Sequence, residues 1–300
     1  MGLALIFALT VAFCVVFGIA VAGIFKIIEL LQSPSVDHVE RRANEPLSHI
    51  GDDSAITIWG FYQPGEHVNW KDGISDDSPF CSRVEAYLRL TKQPYIKKAS
   101  QGGASENPRR KVPFANLYGQ MVNDSTRILD ALKNMIPTKL DDRLTNEQLI
   151  MGHLIQRMLH DSLYFVMLHQ RFFTRHGRRI FAEGMAKHVP PFISTILVNV
   201  VVQRNYINMY GSGIGRCTHA EIVKRGEQDV QILAKILDQN KYLFGDDQAT
   251  SFDCDVYAFL VSLFYDVALQ ETWIDDLKRK HPNLVGYVSR MRQHLYPELV

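Results

Sequence analysis

The residue types that could do chemistry are densest in the stretch Asn107–Thr126, which reads NPRRKVPFANLYGQMVNDST. A basic approach, Arg109, Arg110 and Lys111, runs into Val112-Pro113. Phe114–Tyr118 and Met121–Val122 read as two short strands hinged at Gly119-Gln120, and Asn123-Asp124-Ser125-Thr126 opens a helix over Arg127–Met135. Proline cannot donate to a sheet ladder, so Pro113 belongs at a strand start, an edge or a tight turn, and a cis bond is open to it. Asp124 and Ser125 are helix-start residues that aim backbone N–H groups and a hydroxyl at whatever lies in front. Strand, turn, strand and polar helix start together suit the capture of a small carboxylate.

A second group of interest is Asp76-Asp77-Ser78-Pro79-Phe80-Cys81. Ser78 reads as the N-cap of a helix with Pro79 at its first position. Asp76 and Asp77 favour the positive end of that helix. Cys81 lies one turn inside and reads as a small buried apolar residue. Tyr62, after the first strand, reads as a loop tyrosine. The four cysteines, Cys14, Cys81, Cys217 and Cys254, form no C-x-x-C pair, which argues against a zinc module or a disulfide framework and for a reducing compartment. His153, His160 and His169 are seven and nine residues apart, too wide for an i, i+4 metal pair, so no metal site is expected. The formal net charge is +1, and the basic runs Arg109–Lys111, Arg175–Arg179 and Lys278–Lys280 read as solvated faces, so no nucleic-acid partner is expected.

The elements that must position these residues divide the chain in two. The composition, 46% hydrophobic and 22% charged over 300 residues, is that of a globular protein of about two domains. Ala55–Phe61 reads as a buried strand, followed by a loop over Tyr62–Asp77, a helix from Ser78 to about Thr91 and a strand over Tyr95–Lys98. With the central stretch this makes a small α/β layer over 55–137 whose parallel pairs need crossovers. From Asp141 the pattern is all-helical, giving a second domain over 141–298. Long helices are predicted over Asn146–Arg175, Pro190–Tyr210, Thr218–Asn240 and Ser251–Gln270, with a short one over Asn283–Leu295. The apolar middle of the second, Ile193–Val202, reads as core. Gly211, Gly213 and Gly215 follow a helix instead of a strand, so they read as a helix end and not as a nucleotide loop. Ahead of both domains, residues 2–25 form a 24-residue run without a charged residue, long enough for a transmembrane helix. Ala20-Val21-Ala22 resembles a signal-peptidase site, but no Lys or Arg precedes the run, which reads as a retained single-pass anchor. Lys26, Arg41 and Arg42 follow it and place the C-terminal bulk in the cytosol. Residues 26–54 read as a polar tether.

In this order, N-P-x-x-K-V-P at Asn107–Pro113, the dipeptide Asp124-Ser125 and the capping box Thr250-Ser251-Phe252-Asp253 resemble the glutathione S-transferase fold: an α/β thioredoxin-like domain followed by an all-α domain. A narrower resemblance over roughly 55–296 is to the failed-axon-connections group, which is related to metaxins and to cadmium-responsive proteins. Its carriers are Ser78-Pro79-Phe80-Cys81, the central stretch, the glycines before Arg216, and Phe244-Gly245 with Asp253.

The resemblance implies glutathione as ligand. Val112 and Pro113 would clamp its cysteinyl part, and Asp124 and Ser125 would hold the γ-glutamyl end. Arg109 or Lys111 would meet the glycyl carboxylate. Ser78 would be the catalytic residue, donating to the sulfur so that it stays a thiolate. Asp76 and Asp77 work against that anion. The resemblance therefore implies a glutathione-binding protein with weak or no transferase activity, with stress or metal detoxification as its setting. An active Ser-dependent transferase and a metaxin-like scaffold are the alternatives. The partners implied are glutathione, the membrane, and a second copy or another protein.

Overall fold

The computed structural model describes residues 53–299 apart from Val68, residues 101–110 and His188. The expected span over 2–25, nearly all of the tether over 26–54, and Arg109 lie outside the described residues. Among the described residues no helix is long and apolar enough to cross a membrane.

Four strands make one sheet in the order β2-β1-β3-β4. β1 (Ile56–Gly60) is buried along its whole length. β2 (Tyr95–Ala99) pairs with it in parallel, with Ile56 opposite Tyr95. β3 (Phe114–Leu117) and β4 (Gln120–Asn123) add antiparallel strands. Their hairpin turns on Tyr118 and Gly119, both with positive φ (52° and 91°), the pair of signs that a two-residue turn matched to strand twist requires. Asn116 Oδ1 accepts from Gly119 N at 2.7 Å and fixes the turn.

Between β1 and β2 runs α1 (Pro79–Leu90), and α2 (Ser125–Met135) follows β4. The helical part begins with α3 (Asn146–Met158), whose Thr145 and Gln148 form a reciprocal capping box. The single helix expected over Asn146–Arg175 is broken twice. A π segment, Leu159–Leu163, separates α3 from α4 (Tyr164–Phe173). Thr174 then turns extended (φ −80°, ψ 155°), and its Oγ1 accepts from Gly177 N to start α5 (Arg175–Ala186). A cap embedded in an unbroken apolar period leaves no mark on that period.

Next come α6 (Pro191–Ser212), α7 (His219–Leu237) and α8 (Ser251–Tyr265). α9 (Thr272–Lys280), which falls between the predicted helices ending at Gln270 and starting at Asn283, precedes α10 (Pro282–Leu295). Gly213 ends α6 at φ 89°, as a helix-terminating glycine does. The reading of Ile193–Val202 as core is corrected. Ser194 and Val198 are buried, but Ile196 and Leu197 are exposed, because α6 packs along one side only, on α4 and α5.

The centre of the molecule is α8, buried at every residue from Ser251 to Phe264 and packed most extensively on α1. Its capping box is present. Asp253 Oδ2 accepts from Thr250 N (2.7 Å) and Thr250 Oγ1 (2.7 Å), and Oδ1 accepts from Leu243 N (2.8 Å) and Tyr287 OH (3.1 Å). One carboxylate thereby joins the start of α8, the turn before it and α10. The loop Tyr62–Asp77 is docked on the helical domain. Tyr257 OH donates to Gly73 O (3.1 Å), and Trp70 meets the Tyr296 ring edge-on at 5.5 Å.

Candidate functional site

At the N-terminus of α1 the amide of the N-cap residue, Ser78, is taken by a carboxyl of the chain itself. Asp76 is fully buried, and its carboxylate accepts from Phe61 N (2.9 Å), Tyr62 N (3.4 Å) and Ser78 N (3.1 Å). Gly60 makes room for it: a Cβ there would collide with Asp76 Oδ2. Lys97 Nζ lies 3.7 Å from the same oxygen while donating to Glu85 (2.9 Å) and to Ser75 O (2.7 Å). Burial pushes the Asp76 carboxyl above its ordinary pKa despite Lys97 and the amide donors. The Ser78 side chain makes no capping bond to the helix. Cys81 is 3% exposed, and burial and then Asp76 push its thiol well up, so it is an inert core thiol.

Asp77 is held differently. Tyr62 OH donates to Oδ2 (3.0 Å), His67 Nε2 meets Oδ1 (3.0 Å), and Arg171 from α4 donates to the Asp77 carbonyl (2.7 Å). His67 Nδ1 accepts from Asn69 N (3.0 Å), which puts its proton on Nε2 toward Asp77. Burial opposes the charge on Asp77, but Arg171, His67 and Tyr62 outweigh it and hold the carboxyl down at about 2. Burial and Asp77 in turn push the Tyr62 phenol up, so Tyr62 is a committed donor to a carboxylate and not a source of phenolate.

The central stretch forms a second cluster. The Val112-Pro113 bond is cis. Pro113 O accepts from Asp124 N (3.3 Å), which closes the start of β3 onto the start of α2 and brings Val112, Pro113, Asp124 and Ser125 to one edge of the sheet. Asp124 caps α2: its Oδ1 accepts from Thr126 N (3.0 Å) and Arg127 N (3.4 Å) while its backbone is left-handed (φ 74°, ψ 132°). A non-glycine residue in that region is strained, a condition that gathers at ligand clamps. Lys111 is exposed beside this edge, and partial enclosure of its ammonium and then Arg204 of α6 lower its pKa.

Beneath Ser125 lies a residue that the sequence reading passed over. Arg83 of α1 is fully buried, with Nε 2.6 Å from Asp255 Oδ1 of α8. Its Nη1 lies 3.3 Å from Ser125 Oγ and 3.2 Å from Thr126 Oγ1. Asp255 also takes Gln156 Nε2 (2.8 Å) and faces His160 Nε2 (3.1 Å). A guanidinium can only donate, so both hydroxyl oxygens accept from Arg83 and each keeps its own proton to donate elsewhere. That is the polarity an anion needs. The signal in the sequence was an arginine in the buried stripe of α1, between Cys81 and Val84, matched by an aspartate within the apolar run of α8. Ser78 belongs to the other cluster, with Asp76 and Cys81. Among the described residues no group of three or more His, Cys, Asp or Glu side chains is arranged to hold a metal ion.

A family model described as glutathione S-transferase N-terminal domain matches residues 79–177, and one described as glutathione S-transferase, C-terminal domain, matches 226–291; together they cover more than half of the chain. The chain is 27% identical over 235 residues to Failed axon connections of Drosophila melanogaster, which covers 74% of this chain and 55% of that relative. The chain thus spans little more than half the length of that protein. It is 26% identical over 250 residues to an isoprene-epoxide–glutathione S-transferase of Rhodococcus sp. strain AD45, covering 79% of this chain and 98% of the relative. In solved structures the fold recurs in a glutathione transferase family member from Pseudomonas fluorescens with two glutathione bound (TM-score 0.53, 11% identity, 88% of this chain and 99% of that one). It recurs also in a β-etherase from Sphingobium (TM-score 0.53, 17% identity, 82% and 98%).

Proposed function

Because the chain belongs to the glutathione S-transferase family, we propose that it binds glutathione at the edge formed by Val112-Pro113 and Asp124-Ser125, with weak or no transferase activity. The holding end of the site fits such a ligand. Ser125 and Thr126 carry hydroxyl protons freed by Arg83 for a γ-glutamyl carboxylate. Asp124 uses Oδ1 for capping, and Oδ2 remains for an ammonium. Val112 offers main-chain pairing ahead of β3, and Lys111 offers a cation to the glycyl carboxylate.

The sulfur end does not fit activation, and the observation that carries this reading is Asp76. Its buried carboxylate already engages the Ser78 amide at the start of α1. A thiol placed there would meet a helix start whose Ser78 amide already serves the Asp76 carboxyl, beside a carboxylate on Asp77, and would gain little of the pKa depression that a transferase needs. Calorimetric titration of the chain with glutathione tests the first half. Binding should be present and should fail in Ser125→Ala. Ultraviolet absorbance of bound thiolate tests the second and should be nearly absent at neutral pH. No heat of binding at millimolar glutathione would sink the proposal.

A second reading, a protein-contact module, is favoured by α3, which exposes Ile150 and Leu154 one turn apart. Residues 2–25 are proposed as a single-pass anchor with the folded part in the cytosol. Protease protection of that part in sealed microsomes would contradict this.

A further inference from the structure

The hairpin of α5 and α6 belongs largely to the interval 178–225 that neither family model matches. Its charge is unlike that of the rest of the molecule. Between Arg175 and Ser212 stand Arg175, Arg178, Arg179, Lys187 and Arg204 against Glu183 alone, a net charge of +4 in a chain whose total is +1.

α6 also exposes more large apolar residues than any other described helix, α3 with Ile150, Met151 and Leu154 coming next. Phe192, Ile196, Tyr206, Ile207 and Tyr210 of α6 are all exposed, Phe192 by 69%. At about 100° per residue these positions fall within an arc of roughly 100° on one side of the helix. Ser194, Val198 and Met209, which are buried, occupy the other side. Along the exposed stripe only uncharged Asn199 and Gln203 intervene. One basic residue of α5 is tied to it: Arg178 donates to Asn199 Oδ1 at 2.7 Å, so a guanidinium stands at the edge of the apolar face, while exposed Arg179 pairs with Glu183 on its own helix at 2.9 Å. A helix of 22 residues makes the face about 30 Å long.

The face that complements an apolar stripe edged by arginines is apolar inside and anionic outside. A second copy docked about a two-fold axis would set one α5 cation row near another and is disfavoured by like charge. We propose that α6 lies in the plane of a bilayer containing acidic phospholipid, with Phe192, Ile196 and Ile207 in the upper acyl region and Arg175, Arg178 and Arg179 among the headgroups. This contact is independent of residues 2–25 and of glutathione.

The test is position-resolved quenching on the full chain in phosphatidylserine-containing vesicles made with lipids brominated near the headgroup end of the acyl chain. In Phe192→Trp the added tryptophan emission should be roughly halved and should recover when phosphatidylserine is replaced by phosphatidylcholine. Ile150→Trp, on the exposed apolar side of α3, should be unaffected. Equal quenching of the two variants, or none, would overturn the proposal. So would a blue-shifted Phe192→Trp emission without lipid. If that shift depends on protein concentration, a second copy covers the stripe; if it does not, another part of this chain does.

Discussion

Arg83→Met isolates the contact that joins the two domains beneath the proposed binding edge. Arg83 and Asp255 are 2.6 Å apart, with side chains 2% and 0% exposed. Removing one partner of a buried pair leaves an uncompensated charge and costs about 3–5 kcal/mol. The pH dependence should also change sign. In the native protein burial opposes the Asp255 charge, but Arg83 and then His160 outweigh it and lower the pKa. That contribution to stability is present above the unfolded carboxyl value of about 3.9 and is lost as pH falls through the depressed folded value. Without Arg83, burial prevails and the folded pKa rises above about 3.9. Asp255 then favours the folded state only when protonated, so the variant loses stability as pH rises through the new value. Urea unfolding across a pH series reads both effects. Arg83→Met/Asp255→Asn, which removes both charges, should recover more than half of the loss. A single variant within about 1 kcal/mol of native near neutrality, or one that keeps the native pH slope, would refute the reasoning.

Three further outcomes follow from the same geometry. Asp77→Asn should weaken the Tyr62–His67 latch and remove the part of acid sensitivity that native Asp77 contributes between about 3.9 and its folded value of about 2, as read by acid titration of tryptophan emission. Gly60→Ala should cost about 1–3 kcal/mol, because the new Cβ meets the Asp76 carboxylate, whereas Gly184→Ala, with nothing within 4 Å, should be neutral or stabilising by chemical denaturation. Cys81 should resist a bulky disulfide reagent until the chain unfolds, while half-buried Cys217 reacts in the folded state; mass mapping of the labelled peptides distinguishes them.

The glutathione S-transferase fold was legible because its signals are local. Proline before β3, the helix-start dipeptide after β4 and the Thr250–Asp253 box each act within a few residues, and each is present. Helix breaks were not legible where the break is made by one cap inside a continuous apolar period, as at Thr174, or by a π turn, as at Leu159–Leu163. The exposure of α6 was hidden for a different reason: an apolar helix looks the same in sequence whether one side or all sides are covered. At the site, Asp76 was visible as a charge near a helix end, but its burial against Gly60 depends on a fold around it. Arg83 needed partners 42, 43 and 77 residues away, a set no periodicity contains.

The docking of the Tyr62–Asp77 loop on Tyr257 and Tyr296 bears on the order of events at the ribosome. The α/β layer is encoded first, yet Trp70 finds its ring partner at Tyr296, Arg89 donates to Leu295 O (3.0 Å) and Glu298 (2.7 Å), and α1 is covered by α8. These contacts span about 200 residues, and at roughly 5–20 residues per second that is some ten to forty seconds of synthesis. Until α8 is made, the face of α1 that packs on it lacks that cover, although α2 is already in place. A nascent chain halted before residue 250 should expose Val84 and Leu88 and recruit hydrophobic-surface chaperones, and release should come only with the last helix.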